Sequence, residues 1–513
     1  MLFNSFTFLF GFLPAAVIVY WCLLAFRRTA AIAFLALASL VFYSWWDVRY
    51  LPLFCGSILF NYGMGHLIAR ARVGQPGKAR GLLAFAIAAD LAVLGYFKYI
   101  GLFADAFASL TGISAAIPAV VLPLGISFFT FTQITYIVDS LKGKVQERGF
   151  WNYVLFVSYF PHQVAGPILH HAEMMSQFRT VRFDPRLTQY LVVGISIFAL
   201  GLFKKVVLAD SFAPYADAVF AAAESAQPIG LLEAWGGALG YYFQLYFDFS
   251  GYSDMAIGLS LLFGVRLPLN FDSPYKATSI IDFWRRWHIT LSRFLRDYLY
   301  VPLGGNRKGG ARRYLNLLIT MLLGGLWHGA GYTFILWGGL HGAYLMVNHA
   351  WRAAATRYRL VEVIDRSRGW PLFAWLITTL AVVVAWVFFR AQSLGGAGQL
   401  LAAMFDGSRI ILPQRLAMLG EGFAYAPVWL ARVGDQGTLA LMLSLGFAIV
   451  LALPNTISLF RTFSPTVGGD PEPAGRLSFS WRPSLGWAAC LGLLLAFAVS
   501  RISDGSRFLY FNF

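Results

Sequence analysis

The chain has 513 residues, 58% of them hydrophobic and 17% aromatic, and only 12% are charged. A soluble domain carries about 25% charged residues, so this chain has roughly half the charge needed to cover a water-facing surface, and its mean hydropathy of +0.63 excludes an ordinary soluble globule. The formal net charge of +16 does not point to nucleic acid, because Lys and Arg sit in short links between apolar stretches, as cytoplasmic loops do beside an anionic leaflet.

The first apolar stretch, Ser5–Phe26, has no positive charge before it and Arg27-Arg28 after it. A cleaved signal peptide needs its charge in front, so this stretch reads as a retained span with the N-terminus outside. Further candidates follow at Thr29–Trp46, Leu51–Ala69, Gly81–Tyr99, Ile117–Leu141, Leu187–Leu208, Leu231–Phe249 and Tyr252–Val265. The series ends with Tyr314–Leu326, Thr333–Val347, Leu372–Phe389, Thr438–Phe460 and Gly486–Ser500. Several are shorter than the roughly 20 residues that span a hydrocarbon core, so about eleven true crossings are expected, with re-entrant and interfacial helices between them. Among the early links, those carrying Arg27-Arg28, then Arg70, Arg72, Lys78 and Arg80, then Lys142, Lys144 and Arg148 alternate with links of little net charge. That alternation places the basic links in the cytoplasm. Ser464–Pro483 and Asp406–Gln436 read as loops, and nothing marks a separate soluble domain. One membrane-embedded unit over 1–513 is expected, its core at about 120–390. Cys22, Cys55 and Cys490 lie far apart, without metal spacing or a disulfide framework, and read as small buried hydrophobes.

Soluble-enzyme signatures such as G-x-S-x-G, H-E-x-x-H and the Walker loop are missing from the chain. Gly304–Gly310 has phosphate-loop composition but no strand before it, and reads as a flexible loop. Gln244, Tyr246, Asp248, Tyr252 and Asp254 crowd polar groups into an apolar stretch. An ionisable group at bilayer depth costs about 2.5–3.5 kcal/mol, so it faces a cavity or a partner; a position at the interface, near a helix end broken at Gly251, stands beside that reading. Ile281–Tyr300 has helical periodicity, with Asp282, Arg285, Arg286, Arg293, Arg296 and Asp297 on one arc and Trp284, Trp287, Leu291 and Leu295 opposite. An interfacial anchor suffices for the charged face. His288 projects away from it, near Leu295 and Leu299, toward the bundle.

Trp327 and His328 close an apolar run between glycine pairs, where little side-chain bulk stops a substrate or another backbone from approaching the ring. Imidazole titrates near neutrality, which suits removal of a proton from an acceptor hydroxyl. In one continuous helix His341 would face away from His328, so packing is its expected role. His162 and Gln163 lie in a Pro- and Gly-rich run that precludes a regular helix; it lines a re-entrant passage or forms a juxtamembrane loop. His170 and His171 follow in the same region, and no third ligand stands at metal spacing, so no metal site is expected.

Taken in order, Leu124–Phe128, Phe160–His162, Gln244–Asp254, Phe283–His288, Leu295–Tyr300, Leu326–Gly329, Trp386–Arg390 and Phe508–Phe513 resemble the membrane-bound O-acyltransferase (MBOAT) family, in its bacterial alginate O-acetyltransferase-like branch. The resemblance implies an all-α polytopic bundle around a central tunnel, with His328 as the catalytic histidine and His288 as the second active-site position. It implies acetyl-CoA as cytoplasmic donor, with no bound cofactor. It implies further a secreted or membrane-anchored acyltransferase partner on the outer face, a polysaccharide acceptor, and a place in the bacterial inner membrane. Phe129–Thr135 and Pro167–His171 depart from an alginate enzyme's pattern and leave the polymer open. In the expected mechanism His328 serves as general base while His288 orients or relays the proton; a covalent acetyl-imidazole stands beside it. Arg285, Arg286, Lys204 and Lys205 meet CoA phosphates or anionic lipid. A D-alanyl transferase of the teichoic-acid type and a proton-coupled transporter or flippase are the alternatives.

Overall fold

The computed structural model describes residues 1–113, 120–164, 166–184, 186–359, 367–409, 411–413, 424–426, 436–468, 480–502 and 508–509. Charge and proline punctuate the first four helices. α1 (Thr7–Phe26) ends where Arg27 turns extended, φ −153° and ψ 111°, and α2 (Arg28–Ser44) begins at once. Asp47 caps the next turn by accepting from the Arg49 amide at 3.0 Å, opening α3 (Val48–Gly74). Pro76 sits in the first turn of α4 (Pro76–Thr111), where its missing N–H costs nothing. α4 runs on past Tyr99, the end of the expected span Gly81–Tyr99, through a π-helical turn at Gly95–Tyr99.

α5 (Ile126–Lys142) starts after Gly125, whose φ of +67° suits glycine. A Cβ there would stand 2.9 Å from the Gln163 carbonyl. α6 (Phe150–Ser158) and α7 (His171–Thr180) flank an irregular buried loop. α6 enters beside Tyr62, whose hydroxyl donates to the Arg148 carbonyl at 3.0 Å. α7 leaves where the Arg28 guanidinium donates to the Arg179 carbonyl.

α8 (Leu187–Glu224) and α9 (Leu231–Leu262) form the central pair. The stretches expected as two spans, Leu231–Phe249 and Tyr252–Val265, are one continuous helix, and Gly251 is no break. Gly194 and Gly201 of α8 face Gly258 and Gly251 of α9 so closely that a Cβ on any of them would lie within 2.8 Å of an opposing carbonyl. Such small-residue seams let membrane helices pack backbone to backbone. Here glycine serves packing rather than helix termination.

The second half contributes the short helices α10 (Ile280–Arg286) and α11 (Ile289–Leu295), then α12 (Gly310–His328), α13 (Tyr332–Arg357), α14 (Trp370–Arg390), α15 (Leu394–Phe405), α16 (Gln436–Ala452) and α17 (Leu485–Ser500). The single amphipathic helix expected over Ile281–Tyr300 is interrupted at Trp287-His288, and a π turn, Arg296–Tyr300, follows α11. Strands are limited, among the described residues, to parallel pairings of Leu267–Pro268 with Thr466–Val467 and of Ile411–Pro413 with Ala424–Ala426. The two expected loops, Asp406–Gln436 and Ser464–Pro483, otherwise lie largely outside the described residues. Cys22 and Cys490 are exposed and Cys55 half-buried, so the expected burial of the cysteines is corrected: they sit on outward helix faces. Five helices among the described residues, α1, α3, α4, α8 and α14, are long and apolar enough to cross a bilayer. Many of their outward residues, such as Phe10, Ile18, Phe85 and Leu372, are large and apolar, as lipid requires. The chain is an all-α polytopic membrane protein.

Candidate active site

Two interruptions in the helical ladder bring the candidate histidines together. The first is at His288, which adopts the left-handed conformation at φ 43° and ψ 53°. A non-glycine residue there costs on the order of 1–3 kcal/mol and persists only when its surroundings over-determine it. The surroundings are Asn270 and its neighbours: the Ile289 amide donates to the Asn270 carbonyl at 2.9 Å, and the Asp272 amide to the Arg286 carbonyl at 2.9 Å. The Asn270 Oδ1 accepts from Thr290 Oγ1 at 2.9 Å and faces His288 Nδ1 at 3.0 Å. A carbonyl oxygen only accepts, so Nδ1 carries the proton and, in the neutral ring, Nε2 keeps its lone pair. That Nε2 is buried and has no hydrogen-bond partner among the described residues. The ring packs on Phe249 at 4.8 Å and lies 6.3 Å from Trp327.

The second interruption follows His328, the last residue of α12, where Gly329 turns extended. α13 folds back antiparallel on α12. Gly325 and Gly338 meet there, and a Cβ on Gly325 would come within 2.2 Å of the Phe334 carbonyl. The His328 ring lies 6.4 Å from His288, centroid to centroid, with Trp327 4.8 Å away and Trp337 and Phe389 each at 5.1 Å. Both imidazoles therefore share one aromatic, deeply buried site.

The fold-back corrects the expectation for His341. Because α12 and α13 are separate helices, His341 does not point away: its ring is 4.9 Å from Trp337, the residue that also walls His328.

Sequence reading missed Lys98. Its ammonium donates to the carbonyls of Trp327 and, at 3.1 Å, His328, while the Tyr99 hydroxyl donates to the Leu326 carbonyl at 2.9 Å. Together they satisfy the C-terminal carbonyls that a helix leaves orphaned, with a cation at the negative end of the dipole. The available signal was a lone lysine in an apolar run, and π turns of the kind that hold it recur at functional sites. A cavity of about 70 Å³ lined by Trp46, Lys98, Gly125, Ser127, Val164 and Trp327 opens beside this helix end. Asn270 was missed too, since nothing local distinguishes it.

The other expected residues separate from this centre in differing degrees. Asp248 and Asp254 tie α9 to α8 rather than standing free: Lys205 Nζ is 2.8 Å from Asp248 and 2.7 Å from Asp210, and Lys204 is 2.6 Å from Asp254. Lys204 and Lys205, expected to meet CoA phosphates or lipid, are thus engaged inside the protein. The Leu509 amide donates to Asp248 at 3.1 Å, and Phe508 packs edge-on against Tyr252 at 4.7 Å, so these two residues dock on this ion-pair cluster. The rest of their motif, 510–513, lies outside the described residues. Tyr246 is close to the site, 6.4 Å from Trp287. Gln244 is buried with Oε1 unpartnered among the described residues. Arg285 is exposed, and Arg286 is paired with Asp282 at 2.9 Å. His162 is held by the Phe156 carbonyl at 3.2 Å, and buried Gln163 leaves both amide atoms unpartnered among the described residues. Their loop does reach the site, for the Ile168 amide donates to Thr290 Oγ1 at 2.9 Å. Among the described residues no cluster of His, Cys, Asp and Glu has the make-up of a metal site.

Comparison with known proteins identifies the family. The model of the membrane-bound O-acyltransferase family matches residues 40–389, a span that includes both histidines. The chain belongs to the MBOAT family. This MBOAT protein is 39% identical to the peptidoglycan O-acetyltransferase of Helicobacter pylori, the match covering 100% of this chain and 98% of that one. It is 44% identical to the probable alginate O-acetylase AlgI of Azotobacter vinelandii over 79% of this chain and 78% of the relative. A teichoic acid D-alanyltransferase of Streptococcus thermophilus is 31% identical over 44% of this chain and 57% of its own. The MBOAT chain is thus a multi-pass membrane acyltransferase.

Proposed function

We propose that the chain takes acetyl groups from cytoplasmic acetyl-CoA and passes them through a central tunnel to an acyltransferase partner, secreted or membrane-anchored, on the outer face. The partner then esterifies hydroxyls of an extracytoplasmic polysaccharide. The observation that carries the reading is the pair of imidazoles 6.4 Å apart in an aromatic, buried site. The relatives support acetyl as the group and a glycan as the final acceptor: the full-length match is named for peptidoglycan and another for alginate. The shorter reach of the D-alanyltransferase match favours acetyl over alanyl. The place proposed is the bacterial inner membrane, with the N-terminus outside. The alternation of basic links supports that orientation.

His328 acts as general base. Its imidazole takes the proton of the acceptor hydroxyl as that oxygen attacks the thioester carbonyl. A C–O bond forms, the C–S bond breaks, and the proton passes to the departing thiolate. His288, with a lone pair on Nε2 directed by Asn270, relays or orients that proton. Such a base contributes about 10²–10⁴-fold. Membranes carrying the native acetylation machinery, supplied with radiolabelled acetyl-CoA, should deposit label in the glycan fraction, and His328→Ala should abolish most of it. Undiminished label in His328→Ala refutes the role, and a wild type that moves a substrate without forming ester would be a transporter.

A further inference from the structure

Trp284 and His341 are absorbed by none of the steps above, and their geometry specifies a tautomer. The Trp284 indole Nε1–H donates to His341 Nδ1 at 3.2 Å. An indole N–H is donor only, so Nδ1 accepts, the ring is neutral and its single proton is on Nε2. His341 is fully buried, yet that Nε2–H has no hydrogen-bond partner among the described residues. A buried donor left unmade costs about 1–3 kcal/mol, and a ring kept for packing would be better served by phenylalanine.

The walls around this donor are those of the reaction site. Trp337 contacts His341 at 4.9 Å and His328 at 5.1 Å. Trp386 lies 6.1 Å from His341 and 5.3 Å from Phe389, which itself packs on His328 at 5.1 Å. Phe283 stacks parallel to His341 at 6.1 Å and fixes the plane of its ring. A third imidazole, fixed as a donor, thus shares the Trp337 wall with His328.

We propose that His341 is a further catalytic residue, its Nε2–H donating to the carbonyl oxygen of the acyl thioester and holding the negative charge that gathers there as the hydroxyl oxygen adds. Trp284 is the positioning residue that locks the tautomer. This rests on the acetyl-transfer reading above. A preorganised donor of this kind in a water-poor site is worth about 10²–10³-fold in kcat.

The test compares His341→Phe, His341→Gln and Trp284→Phe in native membranes supplied with radiolabelled acetyl-CoA, with kcat and KM measured separately. Phenylalanine keeps the ring and its packing but no donor, and should lower kcat about 10²–10³-fold with little change in KM. Glutamine places an N–H near the Nε2 position and should recover a large part of the loss. Trp284→Phe leaves His341 in place but frees its tautomer, and should lower kcat by a smaller factor. Wild-type kcat in His341→Phe overturns the proposal. If that variant fails to accumulate, wild-type kcat in Trp284→Phe overturns it instead. A wild type that forms no acetyl ester refutes the underlying reading, an outcome distinct from either.

Discussion

Gly325→Ala probes how closely the site depends on the α12–α13 contact. The added methyl would stand 2.2 Å from the Phe334 carbonyl oxygen and 3.1 Å from the Gly338 backbone, where ordinary contact begins near 3.4 Å. The neighbouring atoms are main chain and cannot swing aside, so the helices must part locally by about 3.4 − 2.2 = 1.2 Å. Overpacking of this sort costs about 1–3 kcal/mol. The larger effect falls on the reaction, because His328 is one turn beyond Gly325 and Trp337 is next to Gly338, so parting the helices draws the ring away from its wall. A misplacement of about 1 Å can cost 10²-fold in rate. Gly324→Ala is the control, since its methyl would meet only a side-chain end, Leu295 Cδ1, at 3.2 Å. Acetyl ester formed per milligram of detergent-purified protein returned to membranes, with the thermal midpoint of its size-exclusion peak, reads both effects. Gly325→Ala should lose about 10²-fold in transfer with a lowered midpoint, and Gly324→Ala should lose little of either. Equal behaviour of the two variants would refute a site built on backbone contact.

Lys98→Met strips the Trp327 and His328 carbonyls of their cation and should destabilise by about 1–3 kcal/mol per orphaned group; a midpoint equal to wild type would show that Lys98 does not hold the helix end. Asn270→Ala releases His288 Nδ1, Thr290 and the left-handed turn, and should lower kcat more than it raises KM for acetyl-CoA; a pure KM effect would place Asn270 outside the proton path. Lys205→Met leaves Asp248 buried beside no lysine and should cost about 3–5 kcal/mol, while Lys205→Met with Asp248→Asn should restore much of it. Lack of recovery in the double variant would mean that the pair does not act as a unit.

The C-terminal segment gives the Asp248 variants a second readout. Leu509 donates its amide to the same carboxylate that Lys205 neutralises, and Phe508 lies over the Lys205 ammonium at 5.1 Å. Loss of the cluster should therefore open the Phe508-Leu509 bond to limited proteolysis ahead of the helices.

Much of this protein was legible before any coordinates. Sparse charge required lipid as solvent, and apolar runs marked the first four helices. Glycines around His328 and the apolar setting of His288 singled out both rings, because hydropathy and spacing are properties of neighbours along one chain. What the tertiary structure decided depends on partners distant in sequence. The left-handed turn at His288 needs Asn270, 18 residues away, and Lys98 reaches His328 across 230. Hydropathy along the chain divided the apolar stretch near Gly251, and the assumption of one continuous helix set His341 on the far face. Where a glycine faces another helix's backbone the axis continues, and where Gly329 turns extended it does not. Only the packed chain sets those two cases apart, since the same small residue lets a helix be approached in one place and lets it end in the other.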